Sequence, residues 1–350
     1  MRRAFYAIFF GLLFLSLVGC NNYSEKVNLA ELKKMTGIDA REAVDASFAI
    51  RNIDKKLFSR ARDSITYTDG DFLTREGFGN FRLPKNFKFI TQSPKYVLAS
   101  NDNGRFLLID RASQKVLIAK KLSFPIVSGR ILGDKIFYIS LNNIFGIYHI
   151  PQNRNLVAIK VGKAYAVDTR IANPMPIKNL LVVPTLDGKL LVVNPNSPTG
   201  ASGMSIGKSF NLNNIIFLGK IDNKIIASTP SKLISAAPGS MHKFETPIAD
   251  VTIQNGKIYV LARDGRVLVM SPSLKVIASK KFRRYRRFLS IAVVGDSIFA
   301  LDGDGFLLVT NSSFTREKIY DVGAINDYSF VAGNRLYKDS EVVYLNRLGL

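Results

Sequence analysis

From residue 57 to the C-terminus the chain repeats one plan with a period of about forty residues, and this limits the fold more than any other feature. The clearest copy lies within residues 254–270. It has a turn at Asn255-Gly256, an apolar run Ile258-Tyr259-Val260-Leu261-Ala262, an Asp264-Gly265 pair, and a second run Val267-Leu268-Val269-Met270. Short apolar runs cut by Gly, Asn, Asp and Ser, almost without helical periodicity, read as β-strands. Asp and Gly tolerate the positive φ angles of a tight turn, so the spacing predicts a two-residue Asp-Gly hairpin.

The plan recurs. Ile298-Phe299-Ala300-Leu301 precedes Asp304-Gly305, and Leu180-Leu181-Val182-Val183 precedes Asp187-Gly188. Tyr96-Val97-Leu98-Ala99 precedes Asn103-Gly104, and Ile136-Phe137-Tyr138-Ile139 precedes Asn142-Asn143. Two degenerate copies follow Lys224 and Arg335, with Pro230-Ser231 and Asp339-Ser340 at their turns. The opening turns fall near residues 95, 134, 179, 223, 256, 296 and 334. A four-stranded blade needs about forty residues, which is the period of a β-propeller. One blade cannot bury both of its faces, and radial stacking buries them. The sequence therefore predicts an all-β propeller over residues 57–350 with seven blades, or eight if residues 57–90 form their own sheet. A β-sandwich pair is the alternative for an all-β chain, and the regular period argues against it. The last blade is about one strand short at the C-terminus. The run Ser64-Ile65-Thr66-Tyr67 is expected to supply that strand, because an open blade would leave an unpaired edge.

Upstream lies a different pattern. Arg2 and Arg3 precede an uncharged apolar run from residue 4 to 18, too short to span a bilayer comfortably. It ends in Leu17-Val18-Gly19-Cys20, which resembles the lipobox of bacterial lipoprotein signal peptides. The resemblance implies a signal over residues 1–19, cleavage between Gly19 and Cys20, and acylation of the Cys20 thiol (palmitate among the acyl groups). Cys20 is the single cysteine of 350 residues, so no disulfide framework or thiolate metal site is available. Multiple acyl chains give stable membrane anchoring. Asn21, where an Asp would signal inner-membrane retention, points to the outer membrane, with the protein facing the periplasm. Residues 20–56 are mostly polar and are expected to be a tether. It should hold a short helix over residues 29–35 and a second helical stretch over 41–48 docking on the body.

The formal charge is +22, and +20 once Arg2 and Arg3 leave with the signal. So basic a chain favours an anionic neighbour: lipid head groups, lipopolysaccharide, peptidoglycan carboxylates or an acidic protein. The export signal argues against nucleic acid as that neighbour. The densest basic cluster is Lys280, Lys281, Arg283, Arg284, Arg286 and Arg287, interleaved with Phe282, Tyr285 and Phe288. It is either an electrostatic docking patch or an outer strand and turn with a solvated basic face.

Units such as Asp264-Gly265-Arg266-Val267-Leu268-Val269 and Asp187-Gly188-Lys189-Leu190-Leu191-Val192-Val193-Asn194-Pro195 resemble pyrroloquinoline-quinone-type propeller repeats. Such a propeller behind a lipobox resembles the lipoprotein subunit of the outer-membrane β-barrel assembly machinery. The resemblance implies a non-enzymatic scaffold with envelope proteins as partners. Repeats of that family commonly carry a Trp that docks neighbouring blades. This chain has no Trp, so its 24 Phe and 13 Tyr are expected in those places.

No catalytic or cofactor constellation is expected. A quinone cofactor would need an aromatic floor and a carboxylate-held calcium. His149 and His242 lie in different repeats without ligand-spaced neighbours, so neither a metal site nor a Ser-His-Asp arrangement can be argued. Asp302-Gly303-Asp304-Gly305 lacks the further oxygen ligands of a calcium loop and reads as a hairpin. Gly200, Gly203 and Gly207 fall in a Ser-rich stretch, residues 197–209, expected to be a long surface loop.

Overall fold

The strand Lys257–Ala262 shows why the repeats are apolar without interruption. A computed structural model describes residues 43–350 except 198–200, 208–211, 283–286, 326–328 and 339. Along this strand successive side chains point to opposite faces. Ile258 and Val260 pack with Ile226 and Leu233 of the preceding sheet, whereas Tyr259 and Leu261 pack with Ile298 and Ala300 of the following one. A sheet buried on both faces has no polar side to show, so the hydrophobic alternation disappears.

Eight sheets repeat this arrangement. In chain order the blades occupy residues 57–78, 88–121, 126–160, 175–205, 217–245, 248–281, 288–321 and 329–344, and are numbered 1 to 8. Within each blade consecutive strands pair antiparallel. First strands of neighbouring blades touch, as Ile248–Gln254 and Phe288–Val294 do, while fourth strands such as Arg154–Lys160 are exposed. The chain therefore runs from the ring centre outward in every blade. Each of eight apolar clusters joins one pair of neighbours, including blade 8 with blade 1, so the ring is closed. This is the eight-bladed form of the predicted propeller. The added blade is residues 57–78, which form their own sheet. Rings do bridge several blade interfaces: Phe72 stacks on Phe89 at 4.8 Å, and Phe106 meets Tyr148 edge-on at 5.2 Å. Phe78 and Tyr337 meet across blades 1 and 8.

Ring closure departs from expectation. Ser64–Tyr67 is the second strand of blade 1 and does not complete blade 8. Blade 8 takes its fourth strand from Ile50–Asn52, antiparallel to Glu341–Tyr344 with Ile50 opposite Val343. Just before it, Val44–Asp45 adds parallel to Glu317–Asp321, making blade 7 five-stranded. A 3-10 turn, Ser47–Ala49, links the two additions, and Ala46 and Ala49 are fully buried. Residues 44–45 and 50–52 thus belong to the sheets, with a 3-10 turn between them, where sequence alone assigns a tether with a helical stretch over 41–48. The expected helix over residues 29–35 lies outside the described residues.

The turns also differ in detail. Gly265 has φ +88°, but Asp264 is not in the left-handed region. The Gly265 N–H donates to Ala262 O at 3.1 Å, so Arg263 and Asp264 centre the turn and glycine follows it, a longer hairpin than the two-residue form. A two-residue turn with both φ positive occurs instead at Asn255-Gly256, +49° and +69°. The repeated glycine has a second role. The residue after the outer strand donates its N–H to the glycine carbonyl: Leu122 to Gly104, Ile206 to Gly188, Phe282 to Gly265 and Val322 to Gly305. At Gly305 a Cβ would lie 2.1 Å from Gly323 O, so the chain crosses where only glycine leaves room. The stretch read as a surface loop contains the outer strand of blade 4, Ala201–Ser205, paired with Lys189–Val193. An edge strand needs only its main-chain ladder, which small residues such as Ser202 and Gly203 supply.

Candidate functional site

Two places concentrate charge: the inner wall of the ring and its outer rim. The inner site starts from a β-bulge that recurs on the first strand of five blades, at the same step of the ladder in blades 1, 3, 6 and 7 and further along in blade 2. The residue after the bulge is Ser59, Thr91, Ser128, Asp250 or Ser290, so blade 6 alone of the five places a carboxylate there. Asp250 is 4% exposed. Its Oδ1 accepts from Arg62 Nη1 and from Val251 N at 2.9 Å, and its Oδ2 accepts from Ile291 N at 3.0 Å. Arg62, 8% exposed, also donates to Val251 O and lies over the Phe217 ring. The pair joins blade 1 to blade 6, which are not neighbours, and so crosses the middle of the ring. Burial is the strongest influence on Asp250 and raises it. The charges of Arg62 and Arg170, with the hydrogen bonds from Arg62 and Ile291, outweigh it and hold the carboxyl below its ordinary range.

Further pairs surround this one. Arg170, between blades 3 and 4, grips Asp168 through Nε, 2.8 Å from Oδ1, and through Nη2. Asn214 fixes that loop by accepting from Asp168 N at 2.8 Å and donating to Asp168 O at 3.0 Å. Arg75 meets Asp63 at 2.9 Å and donates to Val331 O of blade 8. Each of these carboxylates has its arginine. Arg60, on the first strand of blade 1, has none: its Nε is shut from solvent without a hydrogen-bond partner. Burial pulls its guanidinium down to about 10, with Arg170 and Arg62 pushing the same way and Asp250 and Asp168 opposing. Composition and local pattern do not flag this cluster. The one sequence signal is a carboxylate inside the otherwise apolar run Ile248-Ala249-Asp250-Val251.

At the rim, the fourth strands Val116–Lys121, Arg154–Lys160, Ser240–Glu245 and Val276–Lys281 are edges. They expose Val116, Leu117, Leu156, Ile159, Met241, Val276 and Ile277. Each also carries lysine (Lys120 and Lys121, Lys160, Lys243, Lys280 and Lys281), and lysine discourages indiscriminate edge pairing.

The sequence-selected residues separate clearly. Lys280 and Lys281 end the outer strand of blade 6, and Arg287 precedes blade 7. Lys280 pairs with Glu317 of blade 7 and lies 5.3 Å from the Phe282 ring centre. Lys281 is exposed, and Arg287 is exposed while its side chain covers Gly303. Arg283, Arg284 and Arg286 lie outside the described residues, as do Gly19 and Cys20. His149 meets Asp134 at 2.9 Å at a strand end, and His242 lies on the exposed outer strand of blade 5. Asp302 Oδ1 accepts from Asp304 N and Phe306 N at 3.1 and 2.8 Å, which makes the Asp-Gly-Asp-Gly stretch a hairpin. Among the described residues no three His, Cys, Asp or Glu are grouped to hold a metal, and no helix is long and apolar enough to cross a membrane.

Comparison with known proteins gives two kinds of likeness. No family model matches the chain. The chain is 27% identical over 243 residues to plasminogen-binding protein PgbB in two strains of Helicobacter pylori, covering 67% of this chain and 44% of the relative. It thus spans less than half the length of those relatives. Among solved structures it is similar to BamB from Moraxella catarrhalis, with TM-score 0.65, 14% identity, and 84% and 97% of the two chains covered. The C-terminal WD40 domain of Sif2 gives TM-score 0.60 at 15% identity, covering 86% and 98%. At these identities the likeness to solved structures shows the propeller fold.

Proposed function

We propose that this chain is a lipid-anchored, non-enzymatic interaction module of the bacterial envelope, held by Cys20 to the outer membrane and working as a scaffold in β-barrel assembly. The observation that carries the scaffold reading is the rim. Four outer strands expose aliphatic side chains beside unpaired main chain, and the edge of blade 7 already takes a parallel strand from the chain's own Val44–Asp45. A rigid ring with such edges suits strand addition and loop docking. The BamB likeness is consistent with this reading, as is the lipobox-like end of the leader. The test is photo-crosslinking from Leu117, Ile159 and Ile277 in solubilised envelope. Barrel-assembly subunits should be captured. Capture of none, with normal levels of outer-membrane barrels in a deletion strain, sinks the assembly role.

The plasminogen-binding relative favours a second reading, in which the basic surface around Lys280, Lys281 and Arg287 binds a host or envelope ligand. Surface-resonance measurements with plasminogen and with lipopolysaccharide should then show binding that weakens with salt. Binding that survives high salt and the change of Lys281 and Arg287 to Ser removes this reading.

A further inference from the structure

We propose that the inner wall binds one small monovalent anion of halide size, held by the Arg60 Nε–H and the Ser290 hydroxyl in the cavity among blades 1, 6, 7 and 8. The cavity holds about 20 Å³, enough for one particle of water or halide size. Arg60 and Ser290 both line it, and Arg60 Nε and Ser290 Oγ are buried without a hydrogen-bond partner. Buried donors are almost always satisfied, and two on residues lining one small space can share a common acceptor. Charge selects between water and an anion. Arg60, Arg62 and Arg75 line the space, and Asp250 is the one carboxylate among its lining residues. That carboxylate already accepts from Arg62, Val251 N and Ile291 N. Asp63 is paired with Arg75, and Asp168 is paired with Arg170. Arg60 is left as a surplus cation, partly buried and with its Nε shut from solvent, and a half-buried charge without a counter-charge favours an anion beside it. An anion at Arg60 would neutralise it and would accept from Ser290. Room for one water-sized particle fits a halide better than phosphate or an organic acid.

The site stands or falls separately from the envelope function, because its readouts are density and stability. Crystals of the mature chain soaked in bromide should show an anomalous peak beside Arg60 Nε and Ser290 Oγ. In solution, the unfolding midpoint should be about 2–5 °C higher in sodium chloride than in sodium gluconate at equal ionic strength. Arg60→Met should abolish that difference while leaving generic salt effects. If Arg60→Met does not fold, Ser290→Ala should at least halve the difference. An empty cavity in bromide, or a midpoint difference equal in wild type and variant, overturns the proposal. Bromide density without any chloride-specific stabilisation means binding at crystal concentration only and overturns it too.

Discussion

At the inner wall Arg62 and Asp250 meet from blades 1 and 6, only 8% and 4% exposed. At the rim Lys280 and Glu317 meet from blades 6 and 7 with side chains 37% and 46% exposed. Both are ion pairs between different blades, yet their energetics differ. At the wall, removing one partner strands a charge away from water. At the rim, water takes the partner's place at little cost. The wall therefore fixes how the blades sit, and the rim is free to exchange intramolecular contacts for intermolecular ones.

The rim has one stretch where this division should break. Ile50–Asn52 is an outer strand, yet it closes the ring, and the adjoining Ala46 and Ala49 are buried against blades 7 and 8. A chain begun at residue 57 loses that strand and leaves Glu341–Tyr344 as a raw edge. Its unfolding midpoint by circular dichroism should fall by more than about 10 °C, several kcal/mol for a chain of this size, and it should self-associate. An unchanged melt would mean that three strands suffice for blade 8.

Next in size is the wall itself. Asp250→Ala should cost about 3–5 kcal/mol in denaturant titration, because Arg62 then lies buried without a counter-charge. Adding Arg62→Met should recover part of that loss. A double variant no better than the single one would assign the effect to the Ile291 and Val251 hydrogen bonds instead.

Acid should find the same pair. The folded pKa of Asp250 is depressed, so its stabilising contribution is complete above the unfolded carboxylate value of about 4. It drains as pH falls through the lower folded value. Asp168 is depressed in the same sense: burial opposes the shift, and the hydrogen bond and charge of Arg170 outweigh it. Stability should be level from neutral pH to about 5 and drop below about 4. Asp250→Asn, already weaker, should lose less over that window. Equal slopes for wild type and variant would exclude Asp250 as a contributor.

The comparison also explains what could be read in advance. The blades were legible because a sheet buried on both faces writes itself as an unbroken apolar run, as in Ile258-Tyr259-Val260-Leu261. The glycines were legible because the chain crosses beneath them. The closing strand was not: Ile50-Arg51-Asn52 holds one apolar residue in three, and its partner is almost three hundred positions away. Ala201–Ser205 was hidden by small residues whose main chain does the pairing. The wall pairs were hidden by separation, 188 positions between Arg62 and Asp250, with no local pattern linking them. Only the carboxylate within Ile248-Ala249-Asp250-Val251 could have raised the question. The basic cluster was conspicuous in sequence, yet in the fold Lys280 is spent on Glu317, and Lys281 and Arg287 are exposed.

The smallest stability effect should come from that cluster, and it tests the comparison most sharply. Lys280→Ala removes a half-exposed pair and a contact with the Phe282 ring, and should change stability by no more than about 1 kcal/mol. Lys281→Ser should be within about 0.5 kcal/mol, as expected for a solvated side chain. The two changes should also add, since neither leaves a buried group unsatisfied. If the rim is an interaction surface, the same double variant should weaken ligand capture at low salt and converge with wild type at high salt, where screening removes the long-range attraction. A double variant that is markedly unstable would show that the rim charges hold the fold as the wall charges do. One that is stable and binds normally would leave these two lysines as solvated residues and move the contact to the aliphatic strands beside them.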